Sequence, residues 1–199
     1  MTPQVSARAS WDALDVPWRV AIEAAWQSYR EGGIAVGAVL TDSAGTVIGE
    51  GRNQRFAARA GGLLAHAEMG ALAVLPPDKQ RVRDSVLYTT LSPCPMCFGA
   101  IVVARVGRVH LGAVDPTWLG IDRLPELADE VRRRWPQIHG PLTGPVGAWL
   151  AIEPCLNTTG ALFRAVEPTA PANAALARAV HRRYQERARR GCDERANVS

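Results

Sequence analysis

The stretch that decides the fold runs from residue 85 to residue 114 and reads SVLYTTLSPCPMCFGAIVVARVGRVHLGAV. Ser85 to Thr90 has the composition of a buried strand, and Val106 to Val114 has the composition of a second one. Between them, Pro95 to Arg105 favours a helix, because proline suits the first helical turn. A strand, a helix and a strand at this spacing predict a βαβ unit with parallel strands.

The residues before this unit favour further elements of the same kind. Ile34 to Leu40 is a nearly continuous apolar run and Thr46 to Gly51 returns after a turn, so two more strands are predicted. Helices are predicted from Ser10, with Ser10 or Asp12 as the N-cap, and from Leu63 to Leu75. Helices and strands arranged in this way indicate the α/β class, as a three-layer sandwich.

The pattern weakens after Asp115. Leu124 to Trp135 favours a helix, Pro136 to Pro145 a loop rich in proline and glycine, and Val146 to Ile152 a fifth strand. Asn173 to Arg190 favours a terminal, arginine-rich helix. The sequence shows no internal repeat. It therefore predicts a single domain over residues 1–199, with a core of about residues 10–120 and a variable region of about 121–199.

Composition narrows the classes of function. The 199 residues are 47% apolar, which suits a globular protein, and no apolar run approaches the roughly 20 residues that span a bilayer. Met1 to Ser10 has no apolar core of a signal peptide, so a cytoplasmic protein without a membrane partner is expected. The four cysteines do not form a disulfide framework. A net charge of +4 permits a nucleic-acid partner without requiring one.

Two short segments carry the chemistry. His66 and Glu68 form H-x-E, and Pro93, Cys94 and Cys97 form P-C-x-x-C; together these are the signature of the zinc deaminases. One imidazole and two thiolates give three ligands for one Zn²⁺ per chain, which leaves the fourth position for a water or hydroxide nucleophile. Glu68 is expected to move protons between that water, a ring nitrogen and the departing amine.

Structural roles would explain parts of this pattern. His66 alone would more often be an ordinary structural histidine, and Cys94 with Cys97 could be a redox pair or half of a structural zinc site. Neither alternative accounts for Glu68 and Pro93 at the same time. The pattern therefore favours a catalytic zinc site, with His66, Cys94 and Cys97 as metal ligands and Glu68 as the catalytic residue.

The chain resembles the cytidine deaminase-like superfamily, and most closely its branch of tRNA adenosine deaminases and guanine deaminases. The likeness covers roughly residues 33–115. It is carried by the motifs Val36 to Leu40, Gly49 to Asn53, Ala65 to Glu68, Leu87 to Cys97 and Ala100 to Ala113. This resemblance implies a central five-stranded mixed sheet with the zinc site above it, and a homodimer.

The resemblance also implies substrate contacts. Asn53 matches an asparagine that contacts the bound base or ribose, although it could instead be a turn residue. The backbone at Ala67 and Cys94 would line the pocket and bond the ring's carbonyl or amine. Asp115 and Trp118 are further candidates that do not come from the resemblance, because they lie where the sequence departs from the family's pattern; their roles would be an acidic contact to an exocyclic amine and ring stacking. A capping aspartate and a core tryptophan are the alternatives for these two.

The sequence departs from the tRNA enzymes after the fourth strand. There it reads DPTWLGI over residues 115–121, where a bacterial tRNA adenosine deaminase continues with lysine, alanine, glycine and serine. Residues 141–157 also lack an obvious counterpart, and such a rebuilt half could close over a small substrate. The terminal basic residues could contact phosphates, but a solvated face is the commoner meaning of such a run; they are Arg182, Arg183, Arg187, Arg189 and Arg190.

The leading hypothesis is therefore a zinc-dependent aminohydrolase that releases ammonia from a small purine-like nucleobase or nucleoside. The first alternative is a tRNA-specific adenosine-to-inosine deaminase. The second is a zinc-stabilised binding module without catalytic activity, against which an intact Glu68 and an open fourth coordination position weigh.

Overall fold

A computed structural model describes residues 7–56, 62–157, 163–164, 167–168 and 170–196. The strands are β1 (Gly37–Thr41), β2 (Val47–Arg52), β3 (Val86–Leu91), β4 (Arg108–Ala113) and β5 (Gln137–His139). The helices are α1 (Ala7–Asp12), α2 (Val16–Arg30), α3 (Ala67–Leu72), α4 (Lys79–Asp84), α5 (Pro95–Ala104), α6 (Asp129–Arg134), α7 (Gly144–Ile152) and α8 (Pro171–Ala196). Short 3₁₀ turns cover Gly62–Leu64, Pro116–Trp118, Ile121–Glu126 and Glu153–Cys155.

The strands form one mixed sheet in the order β2-β1-β3-β4-β5. β1 pairs antiparallel with both β2 and β3, whereas β3 and β4 run parallel, as do β4 and β5. The parallel pair β3–β4 is joined through α5, which confirms the predicted βαβ unit. The carboxyl ends of these two strands therefore lie side by side at one edge of the sheet.

Two glycines show that α2 and α3 lie on opposite faces of the sheet. A Cβ on Gly37 would lie 2.0 Å from the Ala21 carbonyl oxygen of α2, and a Cβ on Gly51 would lie 2.0 Å from the Ala67 carbonyl oxygen of α3. Gly51 pairs with Ala38, the neighbour of Gly37, and successive residues of a strand point to opposite faces. Both helices thus approach the sheet more closely than any side chain would allow.

The remaining large helices complete the two outer layers. α5 packs against α3, and α7 packs against β3 and β4. On the α7 side, Leu150 reaches Gly112 of β4 and is fully buried. The sheet is therefore enclosed between two helical layers, and the predicted fold class, an α/β three-layer α/β/α sandwich with a five-stranded mixed sheet, is confirmed.

The predicted fifth strand is wrong. Val146 to Ile152 lies in helix α7, which begins at Gly144 with Pro145 in its first turn. The run is apolar because it packs on the sheet, and a short apolar run has no periodicity that separates a buried helix from a buried strand. The fifth strand is instead Gln137–His139, inside the segment predicted to be a loop, and all three of its residues are exposed.

Smaller differences concern the ends of helices. Neither Ser10 nor Asp12 caps the first long helix, because both lie in α1 and α2 begins at Val16 after Asp15. The helix predicted from Leu63 to Leu75 is shorter, at Ala67–Leu72. The helix predicted from Leu124 to Trp135 is divided between a 3₁₀ turn and α6, where Pro125 interrupts the first part.

The single-domain organisation over residues 1–199 stays a prediction. In the described residues, α7 contacts the sheet and α8 contacts α7. Among the described helices, none is both long enough and apolar enough to cross a membrane. Residues 1–6, which belong to the segment Met1 to Ser10 that lacks the apolar core of a signal peptide, and residues 57–61 lie outside the described residues.

Candidate active site

Three ligand-type side chains meet where α3 and α5 begin. His66 is the N-cap residue of α3 and Cys94 is the N-cap residue of α5. Cys97 follows one turn later on α5, so both sulfur atoms face the histidine. The Nδ1 atom of His66 lies 3.6 Å from each sulfur, and the two sulfur atoms lie 3.7 Å apart.

This spacing fits a tetrahedral zinc ion. Bond lengths of about 2.3 Å to sulfur and about 2.05 Å to nitrogen, at tetrahedral angles, separate the ligand atoms by about 3.8 Å and about 3.6 Å. The observed distances agree with both values within about 0.1 Å. No fourth histidine, cysteine or carboxylate joins this group among the described residues. A fourth tetrahedral position is thus open, as in catalytic zinc sites.

Glu68 lies beside the three ligand atoms without being one of them. It is in the first turn of α3 and its side chain is 4% exposed. One carboxylate oxygen, Oε2, lies 3.4 Å from Cys97 Sγ, and the other, Oε1, lies 3.3 Å from Thr89 Oγ1. Thr89 is on β3 and fully buried. The carboxylate therefore lies between the three ligand-type side chains and the sheet.

The cluster shifts the pKa of every group in it. Hydrogen bonding with Cys97 lowers the pKa of Cys94 to about 4, and the same contact together with burial raises the pKa of Cys97. The hydrogen bond with Cys94 also raises the pKa of His66. Burial raises the pKa of Glu68. Negative charge is thus stabilised on Cys94, which suits a thiolate ligand.

A cavity of about 270 Å³ opens next to these side chains. It lies beyond the carboxyl ends of β3 and β4, where ligands bind in open α/β sheets. Its lining residues are Ile34, Val36, Asn53, Arg55, His66, Glu68, Leu91, Ser92, Cys94, Asp115, Thr117 and Trp118. The cavity therefore combines an apolar wall with several polar groups that converge on one space, as ligand sites do.

Three of the four predicted substrate residues line this cavity. Asn53, Asp115 and Trp118 do so, whereas Ala67 is fully buried and is not part of the lining. Asn53 also has a turn role, because its Oδ1 accepts a hydrogen bond from the backbone N–H of Arg55. Asp115 likewise caps a 3₁₀ turn, since its Oδ1 accepts from the backbone N–H of Thr117 at 2.8 Å. The structural and the substrate roles are thus compatible for both residues.

Asp115 and Trp118, which both line the cavity, differ in their exposure to solvent. Asp115 is 7% exposed, and burial raises its pKa. Its backbone N–H donates to Ser92 Oγ, which ties the end of β4 to the end of β3. Trp118 is 42% exposed, so its indole lies at the mouth of the cavity rather than in the core.

Several residues of the site were not found in the sequence. Arg55 lines the cavity two residues after Asn53, and Thr89 contacts Glu68 from β3. The sequence feature that points to Arg55 is its position two residues after Asn53, the last residue of the family motif Gly49 to Asn53. Thr89 carried no such signal, because a threonine in a strand is an ordinary sheet residue.

Sequence comparison places residues 15–113 in the cytidine and deoxycytidylate deaminase zinc-binding region. The chain is 41% identical to the cytosine deaminase of Candida albicans over 108 residues, which are 53% of this chain and 69% of that protein. It is 43% identical to the tRNA-specific adenosine deaminase of Haemophilus influenzae over 99 residues, which are 49% of this chain and 56% of that protein. The chain spans 69% of the first relative and 56% of the second, so the likeness covers the deaminase core of these proteins.

Solved structures show the same architecture. A structure from studies of A-to-I editing by tRNA:A34 deaminases has a TM-score of 0.52 and 25% identity, with 67% of this chain and 97% of that chain covered. A protein solved in complex with 2,6-diaminopurine has a TM-score of 0.53 and 22% identity, over 74% of this chain and 85% of that one. The second likeness concerns the fold alone.

Proposed function

Because this chain belongs to the zinc-binding cytidine and deoxycytidylate deaminase family, within the cytidine deaminase-like superfamily and its tRNA adenosine deaminase branch, we propose that it releases ammonia from a small purine-like nucleobase or nucleoside. The reaction class, zinc-dependent deamination, follows from the family. The substrate, the residues that act on it, a homodimer and a cytoplasmic location are our proposals. The observation that carries the proposal is the buried Glu68 carboxylate beside the His66, Cys94 and Cys97 cluster, at the closed end of a cavity.

His66 Nδ1 and the sulfur atoms of Cys94 and Cys97 would hold the metal, one ion per chain. Zinc bound there would supply an activated water, because a bound zinc ion lowers the pKa of its water. The chain's own contribution is the geometry of the ligands. Two N-cap positions and one helical turn fix three ligand atoms within hydrogen-bond distance of each other before any substrate enters.

Glu68 moves the protons in this proposal. Deamination joins the oxygen of water to the ring carbon and breaks the bond from that carbon to its amine. Glu68 first takes a proton from the water and gives it to the neighbouring ring nitrogen. It then takes the second proton from the new hydroxyl group and gives it to the amine, which leaves as ammonia while the hydroxyl becomes a carbonyl. Burial raises the pKa of Glu68, which makes its carboxylate a stronger base for the protons of the water and of the new hydroxyl group.

The rim of the cavity supports a small substrate. A volume of about 270 Å³ is near the lower end of ligand pockets, which begin at about 300 Å³. Trp118 narrows the mouth with an aromatic ring that stacks, and the buried Asp115 lines the cavity with a carboxyl group that accepts hydrogen bonds. Amino-purines present both a planar ring and exocyclic amines to such a pair. The cytosine deaminase relative supports a free nucleobase, and makes a pyrimidine the competing ring.

The second candidate is a tRNA-specific adenosine-to-inosine deaminase. Several relatives carry that name, including proteins of Haemophilus influenzae and Bacillus subtilis. The terminal basic helix would then contact phosphates. In α8, the side chains of Arg182, Arg183, Arg187 and Arg189 are exposed, which also suits the plain solvated face.

A panel assay separates these candidates. Zinc-loaded protein is incubated with amino-purine and amino-pyrimidine bases, their nucleosides and an anticodon stem-loop containing adenosine, and ammonia and product mass are measured. Turnover of a purine base or nucleoside, with little turnover of the stem-loop, is the expected result. Turnover confined to the stem-loop would establish the tRNA reaction instead. Bound zinc without turnover of any substrate would favour a binding module.

A further inference from the structure

Among the described residues, Arg55 is the one arginine that lines the cavity. It follows β2, as Asn53 does, whereas Asp115 and Trp118 follow β4, which β1 and β3 separate from β2 in the sheet. Its side chain rests near the Phe56 ring, with the guanidinium carbon 5.4 Å from the ring centre. The cavity lining therefore carries a permanent positive charge from Arg55 and a carboxyl group from Asp115.

One donor of the Arg55 guanidinium has no partner within the part of the chain that the structure describes. The Nε atom of Arg55 is buried and has no hydrogen-bond partner among the described residues. No carboxylate of the described chain lies within ion-pair distance of it either. A buried donor without a partner is costly, and such groups are rare in folded proteins. Because Arg55 lines the cavity, a small rotation of its side chain would bring this donor to an oxygen atom bound there.

Arg52 differs from Arg55 because its Nε donor is paired within the protein. Arg52, three residues earlier on β2, donates from Nε to Glu31 at 3.0 Å. Arg52 does not line the cavity. Arg52 at the end of β2 is thus paired within the protein, whereas Arg55, which follows β2, lines the cavity and has an Nε donor without a partner among the described residues.

We propose that Arg55 is a substrate-binding residue that donates from Nε to an oxygen acceptor of the substrate, either a ring carbonyl or a phosphate group. This inference rests on the proposed function, because it uses the same cavity. It narrows the substrate class to aminated bases that carry a carbonyl oxygen, or to their phosphorylated nucleosides. The carboxyl of Asp115, which also lines the cavity, would face the amine or N–H edge of the same ligand.

The test compares two matched variants. Arg55→Met removes every N–H donor of the side chain and keeps its length, and Arg52→Met makes the same change outside the cavity. Affinity is measured by calorimetry in zinc-loaded Glu68→Ala protein, which binds ligands without consuming them. The ligands are an aminated base with a ring carbonyl, the matching base without it, the nucleoside and the nucleoside 5′-monophosphate. Melting temperature and zinc content are measured for each variant.

We expect Arg55→Met to weaken binding by about tenfold to a hundredfold, because it removes a hydrogen bond from a charged donor. The Arg52→Met protein should bind within about twofold of the parent, since its guanidinium does not meet the ligand. A loss confined to the monophosphate identifies a phosphate acceptor. A loss shared by base, nucleoside and monophosphate, but absent for the base without a carbonyl, identifies the ring oxygen.

Arg55→Lys guards against a folding artefact. It keeps the charge but lacks the Nε donor, so it should fold and hold zinc like the parent while it still loses affinity. Equal affinity of the parent, Arg55→Met and Arg55→Lys for every ligand would overturn the inference. If ligands bind and depend on Arg55, but the wild-type enzyme releases no ammonia, the proposed function fails and this inference stands. A parent that binds none of the ligands overturns both.

Discussion

Thr89 Oγ1 lies 3.3 Å from Glu68 Oε1, so a residue of β3 touches the carboxylate that would move the protons. The same hydroxyl lies 2.8 Å from the Leu91 carbonyl oxygen, so its one proton has two acceptors within reach. Thr89 is fully buried. The sheet therefore restricts the orientation of Glu68 from the side opposite the metal cluster.

Replacement of Thr89 by valine should lower kcat while KM and zinc content change little. Valine keeps the shape of the side chain but removes the contact that orients Glu68, and a lost hydrogen bond of this kind corresponds to about tenfold in rate. The measurement is steady-state deamination with the best substrate of the panel. Thr90→Val is the matched control, because buried Thr90 accepts a hydrogen bond from the Gly37 N–H and does not touch Glu68. If both variants lose activity equally, the Thr89 contact has no special role.

Replacement of Cys97 by serine should abolish stoichiometric zinc binding and deamination together. Cys97 is fully buried and supplies one of three ligand atoms, and serine is a poor zinc ligand at that position. Zinc per chain is measured by atomic spectroscopy after exhaustive dialysis. Cys155→Ala is the control, since Cys155 is a buried free cysteine outside the cluster. A Cys97→Ser protein with one zinc per chain would exclude Cys97 as a ligand.

Replacement of Gly51 by alanine should destabilise the protein by more than about 2 kcal/mol, because the new Cβ forces β2 and α3 apart. That Cβ would lie 2.0 Å from the Ala67 carbonyl oxygen, next to His66 and Glu68. Gly99→Ala in α5 has open space and should instead stabilise by up to about 1 kcal/mol. Urea unfolding gives both values. Equal effects of the two changes would contradict the close approach of β2 and α3.

Glu153 predicts a pH dependence of stability. It is fully buried, neither carboxylate oxygen has a hydrogen-bond partner among the described residues, and burial raises its pKa from 4.5 to about 8. Below pH 4.5, the pKa of this carboxyl group in the unfolded chain, Glu153 is protonated in both the folded and the unfolded protein. As the pH rises from 4.5 towards 8, only the unfolded form ionises. The folded state therefore loses stability across this window, by at most about 5 kcal/mol.

Glu153→Gln should remove this dependence. The variant should match the wild type near pH 4 and be more stable than it near pH 8, as measured by urea unfolding over the pH range. A difference between the two proteins that is constant with pH would show that Glu153 does not titrate in this way.

Much of the fold could be predicted because it is encoded locally. The β3–α5–β4 unit and the H-x-E and P-C-x-x-C motifs are each contained in a few consecutive residues, and the structure brings the motifs together. The fifth strand could not be predicted in the same way. Gln137–His139 is short and exposed, and it exists only because the edge of β4 offers backbone partners. The strand prediction for Val146 to Ile152 is wrong because burial, not strand geometry, makes this segment of α7 apolar.

The residues of the site also divide into those that the sequence predicts and those that only the structure reveals. Asn53, Asp115 and Trp118 follow strands and were singled out from the sequence, and all three line the cavity. Ala67 was predicted with them, but its position is filled by the close contact with Gly51. Arg55 and Thr89 become visible only in three dimensions, because their roles depend on an unsatisfied donor and on a contact between a strand and a helix.

The most direct measurement is ammonia release by zinc-loaded wild-type protein and by Glu68→Ala, with zinc content measured on the same samples. We expect one zinc per chain in both proteins, release of ammonia from an aminated base or nucleoside by the wild type, and a loss of at least about a hundredfold in the variant. A Glu68→Ala protein that keeps wild-type activity, or a zinc-loaded wild type that deaminates no substrate, would contradict the account.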